Sequence, residues 1–158
     1  MDIKIRKAAF DDLDELIAMG QALHKVEKQF EPLLSFSAQE AKKHYSRQLE
    51  NKEVCFLIAE NNGQVLGYLY GHVDMVDYFS TDLPEAEVEV VYLKPESRGK
   101  GVAKLLVDKF IAWAKEKKVF RVKTGIYNGN GPSKNFFLKY GFAPYHATYT
   151  FALDVSEK

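Results

Sequence analysis

Glu87 and Glu89 stand two residues apart in a segment, Glu87 to Leu93, that is otherwise β-branched and aromatic. In a strand, that spacing puts both carboxylates on one face. Like charges side by side work against each other, so a face that keeps both suits the uptake of a proton. A solvated strand face is the plain alternative. Lys94-Pro95 then ends the pairing, because proline has no N–H for a ladder. Next comes Arg98-Gly99-Lys100-Gly101-Val102-Ala103, after which Val102, Leu105, Leu106, Phe110, Ile111, Trp113 and Ala114 recur at helical spacing. The unit is strand, glycine loop, helix N-terminus. A helix start carries unpaired N–H groups and partial positive charge, and glycines let a phosphate approach the backbone. The loop therefore reads as an anion site, suited to a pyrophosphate. It has neither the Gly-Lys-Ser/Thr of a P-loop nor a GxGxxG turn. A loop that needs glycine only for its turn is the competing reading.

Other chemistry-bearing side chains are sparse. The single cysteine, Cys55, lies in an apolar run and reads as inert core; one cysteine excludes an internal disulfide and any cysteine-built zinc site. No metal-ligating set stands out. His24 and His44 fall in two N-terminal helices and could line a substrate site, although lone helical histidines are usually surface residues.

The elements that must position these groups follow in order. Ile3 and Ile5 alternate with charges in a first strand. Asp11 or Asp12 caps a helix whose apolar face is Leu13, Leu16, Ile17, Met19, Ala22 and Leu23. Val26 to Phe36, with Pro32, is a loop and broken helix. Ser37-x-x-Glu40 is a capping box opening a helix to about Leu49, with a thin apolar face suited to a rim position. Val54 to Ala59 is a strand buried on both faces. Asn61-Asn62-Gly63 signals a hairpin, and Val65 to about Val76 returns, with Gly67 and Gly71 marking close approach. An acidic, aromatic loop, Val76 to Pro84, leads into the central unit. Val119 to Ile126 forms a strand parallel to the Glu87 strand, because a helix separates them. Pro132 suits the first turn of a short helix that Gly141 ends. Tyr145, Ala147, Tyr149, Phe151, Leu153 and Val155 alternate as a last strand. The expectation is a mixed, mostly antiparallel α/β sheet around a central parallel βαβ unit, with flanking helices.

A chain of 158 residues with 46% hydrophobic content fits one globular domain, 1–158. No apolar run approaches a membrane span, and MDIKIRKAAF holds no secretory signal. The expectation is a cytoplasmic protein. Zero net charge argues against nucleic-acid binding. That zero hides an asymmetry: Glu53 to Leu93 holds no Lys or Arg but carries Glu53, Glu60, Asp74, Asp77, Asp82, Glu85, Glu87 and Glu89. From Lys94 to Lys123 the balance is basic.

Arg98-x-x-Gly101-x-Ala103, preceded by Leu-Lys-Pro, resembles the acetyl-CoA motif of the GCN5-related N-acetyltransferase (GNAT) family. Asn130-x-x-Ser133-x-x-Phe136-Phe137-Leu138-Lys139-Tyr140-Gly141-Phe142 is similar to that family's later motif. The resemblance is specific from about Glu85 to Phe142 and extends to the rest as a pattern of elements. It implies the acyl-CoA N-acyltransferase fold, whose two central parallel strands splay apart around the cofactor. It implies acetyl-CoA as co-substrate and direct acetyl transfer to a primary amine. The resemblance implies a catalytic base at Glu87, as in histone-type members, or at Glu89, as in polyamine-type members; Glu89 is the preferred assignment. It implies an oxyanion donor and a bulge around Val91, Tyr92 and Leu93, with pantetheine lying along that strand. It places pyrophosphate on Arg98, Gly99, Lys100, Gly101, Val102 and Ala103, and assigns Asn130, Ser133 and Phe137 to the cofactor side. At Phe137 many members carry a tyrosine that protonates the leaving thiolate. Tyr140, Tyr127 and Tyr145 are the alternative donors, or packing residues. The acidic stretch suggests a small cationic or polyamine-like acceptor. A protein N-terminus or lysine as acceptor, and a non-catalytic acyl-CoA-binding module, stay open, as does a homodimer.

Overall fold

The structure, a computed structural model, describes residues 2–74 and 83–153. Asp77, Asp82 and Val155, and with them most of the acidic loop and the end of the expected last strand, lie outside the described residues. The chain runs β1 (Lys4–Lys7), α1 (Leu13–Glu27), α2 (Ala38–Glu50), β2 (Val54–Asn61), β3 (Gln64–Asp74), β4 (Glu85–Leu93), α3 (Val102–Glu116), β5 (Arg121–Thr124) and α4 (Gly131–Tyr140). Short 3-10 turns at Phe10–Asp12 and Pro95–Ser97 lead into α1 and α3. The sheet order is β1-β2-β3-β4-β5; the first three pairings are antiparallel and β4–β5 is parallel. This is the expected mixed sheet with its βαβ unit. None of the described helices is long and apolar enough to cross a membrane.

Two cores lie on opposite faces of the sheet. On one, Cys55, Leu57, Ala59, Leu69, Ala86 and Val88 meet Val102, Leu106, Val107 and Phe110 of α3. On the other, Phe56, Ile58, Tyr68, Tyr70 and Tyr92 meet Leu16 and Met19 of α1, with Tyr45 and Leu49 of α2 at the margin. The alternation along β2 explains why that run is apolar throughout. Gly71 lets the α3 face close: a Cβ there would stand 2.6 Å from the Phe110 ring and 2.3 Å from the Glu87 carbonyl. The Asn62-Gly63 turn has φ of 50° and 78°, the left-handed pair that a two-residue hairpin needs.

Caps follow the sequence in part. Ser37 accepts the Glu40 N–H at 3.3 Å, and α2 buries no residue, as a rim helix should. Asp12 does not cap α1 through its own side chain. It reaches back to the Ala9 N–H at 2.8 Å and pairs with Arg6, tying β1 to the start of α1. Gly141, at φ 118°, ends α4.

The last strand is a correction. Residues 143–153 form no strand, and Tyr145, Tyr149, Phe151 and Leu153 are exposed. Alternation tells which side chains share a face; it supplies no pairing partner, and a strand without one is not stable. Tyr145 instead lies against the Arg121 guanidinium, 4.1 Å from its ring centroid. The strand expected over Val119 to Ile126 is shorter, Arg121–Thr124.

Candidate active site

β4 is paired differently along its two halves. From Glu85 to Val88 it is zipped to β3 on one side and to β5 on the other, the last β5 partner being Thr124. Thr124 closes that junction by donating its hydroxyl to the Val88 carbonyl at 2.9 Å. Beyond Val88, β5 has no further register with β4, and among the described residues no strand pairs with that side of residues 89–93. The edge is a row of backbone donors and acceptors open to an extended ligand.

Glu89 sits at the break. The β3–β4 register steps from Tyr70↔Val90 to Gly71↔Val88, so Glu89 is the extra residue of a β-bulge. The resemblance implied a bulge around Val91 to Leu93; it lies earlier, at Glu89. The phase change is visible in the packing: Ala86 and Val88, then Val91 and Leu93, face α3, whereas Val90 and Tyr92 face α1 and α2. Bulges re-aim side chains, and this one turns Glu89 toward β3.

His72 of β3 receives it. Its Nδ1 lies 2.9 Å from Glu89 Oε1 and its Nε2 lies 2.7 Å from Asp74 Oδ1. Lys123 Nζ of β5 stands 2.5 Å from Asp74, 3.6 Å from Glu87 and 3.7 Å from Glu85. Burial works against the Asp74 carboxylate, but the bonds from Lys123 and His72 outweigh it and hold Asp74 below the usual carboxylate range. The bond to Asp74 raises Lys123 in turn. Donor atoms of His72, Asp74 and Glu87 lie within 4.8 Å of one another; the Lys123 ammonium beside Asp74 and Glu87 already supplies that cluster's positive charge.

At its far end β4 delivers the glycine loop. Arg98 donates Nε–H to the Leu93 carbonyl at 3.1 Å, and its guanidinium carbon lies 5.9 Å from the Tyr92 ring centroid. Gly99 and Gly101 have φ of 71° and 80°, a region that side chains other than Asn and Asp enter at a cost. Gly101 is the N-cap of α3, and no side chain caps it. The N–H groups of Val102 and Ala103 therefore start the helix beside an open, flexible-backbone turn. These features fit a pyrophosphate.

The remaining expected residues divide. Asn130 caps α4, its Oδ1 accepting the Ser133 N–H at 3.3 Å. Phe137 is buried against Phe136 and Phe142. Tyr140 donates its hydroxyl to Asp108 of α3 at 2.7 Å, in a cluster with Lys104 that is separate from the glutamates. Burial, and then that carboxylate, push the Tyr140 phenol up to about 12. Tyr127 stacks on Phe30. His24 lies against Phe36, whereas His44 is edge-on to Tyr70, on the His72 face. Burial pushes the Cys55 thiol up to about 12, leaving no thiolate nucleophile.

The division into acidic and basic halves does not survive folding. β5 carries Lys123 and Arg121 back to Asp74 and Glu85, and Lys117 pairs with Glu53 at 2.8 Å. The sequence reading missed His72 and Lys123. The only signal for His72 was its i, i+2 spacing from Asp74 on a return strand.

The Acetyltransferase (GNAT) family model matches residues 20–142. A putative ribosomal protein bS18-alanine N-acetyltransferase of Bacillus subtilis (strain 168) is 27% identical over 100 residues, 63% of this chain. The matched region spans 61% of that relative. Among solved structures, the aminoglycoside N-acetyltransferase AAC(6')-Iy in complex with CoA superposes with a TM-score of 0.76 at 18% identity, covering 96% of this chain and 95% of its own. A predicted acetyltransferase with acetyl-CoA from Clostridium acetobutylicum gives 0.75 at 21% identity, covering 95% and 96%. These structures share the fold. With the family model spanning both the glycine loop and α4, the chain belongs to the Acetyltransferase (GNAT) family.

Proposed function

We propose that this protein transfers an acetyl group from acetyl-CoA directly to the primary amine of a small cationic acceptor, with Glu89 as the base. The observation that carries this is the position of Glu89: at the bulge, where the β4–β5 register ends, with one oxygen held by His72 and the glycine turn at the far end of the same strand. Acetyl-CoA supplies an activated acyl thioester. The N–H groups from Gly99 to Ala103 hold its pyrophosphate, and the open edge from Glu89 to Leu93 takes its extended arm. A backbone N–H among Val91 to Leu93 polarises the acetyl carbonyl. Glu89 removes a proton from the acceptor ammonium, because only the neutral amine attacks. The N–C bond then forms, the C–S bond breaks as the thiolate leaves with its electron pair, and the second proton of the attacking nitrogen passes to solvent water, leaving a neutral amide.

A cationic acceptor is supported by the exposed carboxylate of Glu89, with the partly buried Glu87 beside it, and by the aminoglycosides named for structural neighbours. A protein N-terminus is the second reading, supported by the Bacillus subtilis relative.

The test is a pair of substitutions. Glu89→Gln should lower kcat/KM about a hundredfold or more, the scale of a lost general base, with acetyl-CoA affinity unchanged. Glu87→Gln should cost less than about fivefold, because the charge beside Lys123 is not the proton acceptor. The reverse order would move the base to Glu87.

A further inference from the structure

His72 belongs to neither family motif, yet it is the side chain that grips Glu89. Both its ring nitrogens face carboxylate oxygens, Nδ1 at 2.9 Å from Glu89 Oε1 and Nε2 at 2.7 Å from Asp74 Oδ1. An imidazole with a single N–H presents a lone pair at the other nitrogen. A lone pair facing a carboxylate oxygen at hydrogen-bond distance is repulsive, so each contact needs a proton within it. With both in place the ring is held at two ends and cannot turn. Asp74 is anchored in its turn by Lys123 at 2.5 Å. The chain Lys123–Asp74–His72–Glu89 thus runs from β5 through β3 to β4.

The surroundings show what this brace does. Glu89 is 40% exposed, is the extra residue of the bulge and lies just past the last β4–β5 pair, so among the described residues neither neighbouring strand holds it in register. Glu87 stands directly across from His72 in the register and belongs to the Lys123 cluster. On the other flank, Val54 of β2 is opposite His72 and brings no charge. His72 is the described side chain that fixes the Glu89 carboxylate.

We propose that His72 is a positioning residue for the base: through Nδ1 it holds Oε1 of Glu89, leaving Oε2 to accept the proton of the incoming amine. The proposal rests on Glu89 as the base. In the step itself Oε2 takes the ammonium proton, the freed lone pair forms the N–C bond, the thiolate departs with the C–S electron pair, and the second proton of the nitrogen passes to solvent water.

Asparagine places its amide nitrogen where Nδ1 stands, and glutamine where Nε2 stands, so the two variants separate the contacts. His72→Asn keeps the donor to Glu89 and should stay within about threefold of wild-type kcat. His72→Gln and His72→Phe should lose ten- to about a hundredfold in kcat, the cost of a base out of position, with acetyl-CoA affinity unchanged. In a Glu89→Gln background, His72→Gln should cost less than about twofold more, because it acts through the group already removed. If His72→Gln does not fold, His72→Phe, which also removes the donor to Glu89, reads the same loss. His72→Gln matching His72→Asn would overturn the proposal, as would an undiminished loss in the Glu89→Gln background. Glu89→Gln alone turning over like wild type would instead overturn the base assignment, before any His72 variant is made.

Discussion

Phe137 has no proton to give a leaving thiolate, and its burial among Phe136, Phe142 and the α3 core makes it a packing residue. Tyr140 is the nearest tyrosine in sequence, but its hydroxyl already donates to Asp108. A phenol pushed up to about 12 is also a poor acid for this task, since a thiol ionises near ~8.5 and the proton would move uphill by roughly three units or more. A thiolate is stable enough at neutral pH to leave unprotonated. Tyr140→Phe should therefore keep kcat within about twofold of wild type, and Phe137→Tyr should gain little. Tyr127→Phe and Tyr145→Phe should behave likewise, because one phenol stacks on Phe30 and the other lies under Arg121. A tenfold or greater loss of kcat in any one tyrosine variant, on the scale of acid catalysis, would identify a general acid.

At the scale of elements, the turn into α3 carries the cofactor claim. Gly101 is an N-cap at φ 80°. Asn and Asp both tolerate that backbone and are both favourable N-caps, so Gly101→Asn and Gly101→Asp should fold alike. Only the second puts a negative charge against a pyrophosphate. Calorimetry should find acetyl-CoA binding at least about tenfold weaker in Gly101→Asp than in Gly101→Asn, since like charges within ~4 Å repel by several kcal/mol at a protein surface. Equal affinities would remove the anion site from this turn. What the sequence made legible at this scale was local. The β2 run, the Asn62-Gly63 hairpin, the glycine loop and the α3 stripe depend on neighbours within a few residues. The Glu89 bulge and its contact with His72 depend on the register of β3 against β4, which no local pattern specifies. The Tyr145 to Leu153 alternation was legible as a pattern and mistaken as a strand, because pairing is a property of the partner. Asn130 read as a cofactor residue, yet the geometry also gives its Oδ1 a capping role at α4.

For the molecule as a whole, net charge by segment was a poor guide to field, since β5 folds its Arg121 and Lys123 onto Glu85 and Asp74. Glu89 is left exposed where the β4–β5 register ends, and a cation should approach it more readily at low salt, where screening is weakest. Amine-dependent release of the CoA thiol from acetyl-CoA by the unaltered protein reads the proposed transfer itself. It should be measured across monoamines, diamines, polyamines, an aminoglycoside and peptides with free N-termini, with the acetylated product weighed by mass spectrometry. Thiol release should equal N-acetylated product, with KM for a diamine lower than for a monoamine and rising as salt is added. Tight acetyl-CoA binding with no thiol release above background for any amine or peptide would contradict that transfer, and would make the protein an acyl-CoA-binding module.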